Sequence, residues 1–143
     1  MLSLRNSWQF WALLSGAFAA LTAVFIKIGI KGINSDFATF VRTLFILPML
    51  VIFLLLTDQF KNPGPISSRG LLFLGLSSLA TVGSWLAYFR ALNLGTVAQV
   101  APVDKLSIVL VGVFGWLFLG ESLSALNWLG LAFMVAGAVL VGL

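Results

Sequence analysis

Apolar residues run almost unbroken through five stretches of the chain, at 8–30, 35–56, 70–92, 98–119 and 125–142. Each is near or above the roughly 18 residues that a helix needs to cross a bilayer. The polar breaks between them read KGIN, TDQFKNPGPISSR, NLGTV and GESLS. Only the second exceeds a tight turn, and its Pro63-Gly64-Pro65 cannot continue a helix. Hydrocarbon offers no partner to a backbone N–H or C=O, so spanning segments satisfy themselves as helices. The pattern predicts an all-α membrane protein with five transmembrane helices, in a single domain over residues 1–143.

The first stretch has a second reading. Arg5, an apolar run and Ala17-Phe18-Ala19 together resemble a secretory leader. The run continues through Ala23-Val24-Phe25-Ile26 without a break, and everything after it is also membrane. It is therefore read as a retained helix.

Composition agrees with the pattern and narrows the chemistry. Of the 143 residues, 61% are hydrophobic and only 8% charged, too few to solvate a globular surface. Without Cys or His there are no disulfides, thiolate nucleophiles or zinc sites, and no imidazole base. The four carboxylates, Asp36, Asp58, Asp104 and Glu121, are scattered, so no metal or cofactor cage is expected and no enzyme. The net charge of +4 comes from basic residues spread singly between apolar runs, which argues against a nucleic-acid face. Small residues such as Gly112, Gly115, Ala136-Gly137-Ala138 and Gly142 suit close helix packing. Trp8, Trp11 and Trp128 near span ends read as interfacial anchors.

Five charged residues fall inside the expected spans: Lys27, Arg42, Arg90, Asp104 and Lys105. Alternation of the spans puts all five in one half of the membrane, opposite the N-terminal face. Asp104 then lies roughly 9 Å below its interface. Lys27 and Arg90 are close enough to snorkel, but a short aspartate is not. Each charge at a helix centre costs about 2.5–3.5 kcal/mol, so Asp104 is expected to be paired, protonated or hydrated. Successive helix positions differ by about 100°, so Asp104 and Lys105 are not expected to neutralise one another. Arg42 is the expected partner for Asp104, with Arg90 second. A buried salt bridge that fixes helix order is one reading, and a substrate or proton site is the other.

Pro102 lacks the N–H that would reach residue 98, and either breaks the helix, freeing carbonyls beside the charges, or is simply tolerated near the first turn. Helices broken next to polar clusters are how transporters build sites within the membrane. Glu121, after Gly120, is expected to cap the following turn or helix.

The chain from Tyr88 onward resembles the second half of an EamA domain, of the drug/metabolite transporter superfamily. The resemblance is carried by Tyr88, Ala91-Leu92, Gly95, Pro102, Leu119-Gly120-Glu121 and Trp128-Leu129-Gly130. Arg42 in FATFVRTLFILP is also similar to the family. Most such transporters carry two inverted copies of the domain; this sequence holds one, like the small five-helix bacterial and archaeal branch. The resemblance implies a half-transporter. Asp104-Lys105 is not a general feature of the family, so the substrates of larger relatives do not transfer.

One half rebuilds a whole by pairing head-to-tail, provided the chain inserts both ways. Arg5, Lys61 and Arg69 on the N-terminal side nearly balance Lys31, Lys27 and Arg90 on the other. An antiparallel homodimer in the plasma (inner) membrane is therefore expected. It moves a small polar metabolite or drug by alternating access. Asp104 is the candidate for proton coupling. Lys105, Arg42 and Arg90 are candidates for an anionic group, and Trp85 and Tyr88 for the wall of the site. A non-transporting subunit of a larger complex and a flippase-like component are the alternatives.

Overall fold

The computed structural model describes residues 7–61 and 63–142; Arg5, used in the charge balance above, lies outside them. Five helices in it are long and apolar enough to cross a membrane. They are α1 (Trp8–Gly29), α2 (Ser35–Leu56), α3 (Ser68–Leu94), a fourth span over Val97–Leu119, and Ala125–Gly142. The fourth is interrupted. It consists of α4 (Val97–Asp104), α5 (Ser107–Phe114) and a π-helical turn (Gly115–Leu119), so that the last span is α6. Large apolar side chains, Leu13, Phe45, Leu79 and Phe133 among them, are exposed on every span. That is the surface expected of a chain whose solvent is lipid.

The chain divides into two compact units, residues 1–28 with 94–143, and residues 29–93. The second holds α2 and most of α3. Asn34 starts α2: its side chain accepts hydrogen bonds from the N–H groups of Asp36 (2.9 Å) and Phe37 (3.1 Å). These are donors that a helix start leaves unsatisfied. The hydroxyls of Thr39 and Thr43 donate to the carbonyls of Ser35 and Thr39, so these polar groups need no water inside the span. At the far end Asp58 takes a left-handed φ of 56°, which aspartate tolerates, and pairs with Lys61 at 2.8 Å. The Ser67 hydroxyl accepts from Gly70 N–H at 3.0 Å and starts α3.

In the first unit α4 and α5 both pack against α6. Glycines set the approach. A Cβ at Gly142 would stand 2.9 Å from Cγ2 of Val103, and one at Gly112 would stand 3.0 Å from Cδ1 of Leu131. The π-helical turn closes on Gly120, at a φ of 67°, whose N–H returns to the Gly115 carbonyl together with that of Glu121 (3.1 Å). The cap of α6 is Ser124, whose hydroxyl accepts from Asn127 N–H at 3.2 Å. Glu121 does not take the capping role expected of it. Its carboxylate instead folds back over Gly115, Oε2 lying 2.8 Å from where a Cβ would be.

The interruption expected at Pro102 occurs later. Pro102 sits inside α4, and regular helix ends only at Asp104. From there Leu106, Ile108 and Val109 bond back three residues, to Val103, Lys105 and Leu106, in a tighter turn. A proline obstructs carbonyls before it, not after it. The break instead separates two packing registers: α4 is seated by Val103 on Gly142, and α5 by Gly112 beneath Leu131.

Candidate functional site

The expected site residues fall into two groups, one in each unit. In the second unit, α2 and α3 are linked through long side chains. The Arg90 guanidinium grips Asp36 with two parallel bonds, Nε to Oδ1 at 2.9 Å and Nη2 to Oδ2 at 2.6 Å. Asp36 also lies in the first turn of α2, where the helix dipole favours a carboxylate. Both side chains are exposed. Arg90 therefore has a carboxylate partner within its own unit, Asp36.

Arg42 lies seven residues into α2, roughly 10 Å along the helix. Its guanidinium carbon sits over the Trp85 ring, 4.2 Å from the centroid, and 5.9 Å from that of Phe89. Trp85 is half-buried and Phe89 fully buried. Their spacing of four residues puts both rings on one face of α3. Tyr88, half-buried, is on the same helix one turn beyond Trp85. Among the described residues of its own unit, no carboxylate reaches Arg42. A cation–π contact is worth about 0.5–2 kcal/mol, against about 2.5–3.5 kcal/mol for arginine at a helix centre. The rings repay only part of that cost. They leave the in-plane N–H donors of Arg42 able to bind an anion.

In the first unit, Lys105 Nζ bonds Oδ2 of Asp104 at 3.1 Å. The expectation that these neighbours stay apart assumed an unbroken helix. At the break the 100° step no longer holds, and the long lysine side chain reaches back to the carboxylate. The pair is partly exposed, with 55% and 34% of the lysine and aspartate side chains accessible. Lys27, at the end of α1, donates to the Gly95 carbonyl at 2.8 Å and so ties α1 to the turn before α4.

Asp36 and Phe89 were missed in the sequence, although both left a signal. Asp36 opens a span at the same membrane face where Arg90 ends another, and Phe89 follows Trp85 by one helical turn.

Over residues 6–143 the sequence matches the EamA-like transporter family. It is 61% identical over 138 residues to the "Uncharacterized transporter in cobO 3'region" of Sinorhizobium sp, covering 96% of this chain and 98% of that one. A second relative is the "Probable 4-amino-4-deoxy-L-arabinose-phosphoundecaprenol flippase subunit ArnE" of Hamiltonella defensa subsp. Acyrthosiphon pisum (strain 5AT). It is 28% identical over 105 residues, covering 68% of this chain and 95% of that one. No solved structure matches. With five apolar spans and a family match along nearly its whole length, the chain belongs to the EamA-like transporter family, and is a multi-pass membrane transporter.

Proposed function

We propose that the protein is a secondary transporter of a small polar metabolite or drug in the plasma membrane. It works by alternating access, as an antiparallel homodimer of half-transporters. The observation that carries this reading is the interrupted fourth span. Two short helices meet at Lys105-Leu106, and the Asp104–Lys105 pair sits at the joint. A break frees backbone groups to bind a solute, and lets two halves of one span tilt independently. An ionisable pair there is the place to couple solute and proton movement. Protonation of Asp104 releases Lys105, and an anionic solute takes its place.

The test is flux in proteoliposomes with an imposed pH gradient, using a panel of radiolabelled carboxylates, amines and zwitterions. Solute accumulation in the wild type, with loss of pH-driven but not of exchange flux in Asp104→Asn, is the expected result. Equal pH dependence in the variant removes Asp104 from coupling.

A second reading, a flippase component for a lipid-linked solute, is favoured by the likeness to the ArnE protein. It predicts scrambling or translocation of a fluorescent polyprenyl phosphate in the same vesicles, with no uptake of water-soluble solutes.

A further inference from the structure

Among the described residues, three basic side chains hold a carboxylate of their own unit. Arg90 is taken by Asp36, Lys61 by Asp58 and Lys105 by Asp104. Asp36 and Asp58, the carboxylates of the unit that holds Arg42, are thus both engaged. Arg42 sits deeper in its span than Arg90, yet holds aromatic rings in place of a carboxylate. Arg90, near a helix end, is the one with the bidentate acid. A merely structural arginine would be expected to show the reverse arrangement. The deeper cation needs its counter-charge more, because water reaches it less.

The geometry also says what fits. The guanidinium carries its donors in the plane of a fork, and its carbon lies over the Trp85 ring. That fork matches the two oxygens of a carboxylate or phosphate, whereas a single-point acceptor satisfies it poorly. Beside it stands the half-buried Trp85, a surface that favours a flat apolar body on the ligand, whereas Phe89 is fully buried.

We propose that Arg42 and Trp85 form an oxyanion-binding site, in which the counter-ion of Arg42 is the ligand. The ligand presents a carboxylate or phosphate to the guanidinium fork and an apolar body to the Trp85 ring. This deepens the transport reading and rests on it for its biological meaning, though not for its test. The same chemistry has two sources, a soluble organic anion or the headgroup of an anionic lipid.

Trp85 is itself the reporter. In a variant with Trp8, Trp11, Trp116 and Trp128 changed to Phe, its emission is followed while sodium benzoate or inorganic phosphate is added. The protein is held in phosphatidylcholine nanodiscs, and the spectrum is then compared in phosphatidylglycerol nanodiscs. A saturable change with benzoate or phosphate identifies a soluble anion as ligand. A change seen only with phosphatidylglycerol identifies the headgroup. In either case Arg42→Gln abolishes the response, and Arg42→Lys, which keeps the charge but not the fork, weakens it about tenfold. No response to any of the three probes overturns the proposal, as does a response that survives in Arg42→Gln. Should the four-fold variant not fold, calorimetric titration of benzoate into the wild type and Arg42→Gln gives the same decision. Flux without any anion response overturns this site and leaves the transport reading standing. An anion response without flux does the opposite.

Discussion

Arg42 and Trp85, on different helices and 43 positions apart in sequence, meet with 4.2 Å between guanidinium carbon and ring centroid. The contact links α2 to α3 without any opposite charge. Replacing Trp85 by Leu keeps an apolar side chain and removes the ring's negative face. The expected loss of stability is about 0.5–2 kcal/mol, the range of a cation–π contact, and Trp85→Phe loses less. Unfolding in mixed micelles measures both. Equal stability of all three proteins means that the ring does not hold Arg42.

The Asp36–Arg90 pair predicts a different signature. Both side chains are exposed, so the pair adds little to stability and is screened by salt. Asp36→Asn and Arg90→Gln should each lower the unfolding midpoint slightly at low ionic strength, and the double variant no further than either alone. In molar salt all four proteins should converge. Additive losses mean that the two residues act separately.

Glycines on the fourth and last spans differ in what they tolerate. At Gly142 the obstacle is Cγ2 of Val103, a branched side chain with little rotamer freedom. Gly142→Ala should therefore loosen α4 from α6, at the roughly 1–3 kcal/mol typical of overpacking. At Gly112 the obstacles are the flexible ends of Leu131 and Leu123, and Gly112→Ala should cost less. Thermal unfolding of the two variants in one detergent ranks them. The reverse order places the tight contact at α5 instead.

The proposed homodimer requires insertion in both orientations. Gln59, exposed in the loop after α2, is a neutral position whose change leaves the charge balance intact. In the chain's cysteine-free background, Gln59→Cys is labelled in whole cells with an impermeant maleimide. About half the molecules should react before permeabilisation, as expected of a nearly balanced positive-inside signal. Labelling from one side alone excludes the antiparallel homodimer.

These relationships were unevenly legible in the sequence. The number and extent of the spans needed no tertiary information, because hydrocarbon accepts only long apolar helices and each span satisfies its own backbone. The position of Arg42 within a span was visible for the same reason. Its partner was not. Pairing by depth matches charges alone, and so passed over the ring of Trp85 as a partner.

What the amino-acid order determined, then, is everything settled by transfer from water to lipid: the helices, their ends to within a turn, and the charges left in an unfavourable medium. Which side chain answers each of those charges was decided by tertiary structure. A pair such as Arg90 with Asp36, or Arg42 with Trp85, depends on how two helices face each other. That rotation is set by packing of many small contacts, none of which is specific enough to be read from one helix alone.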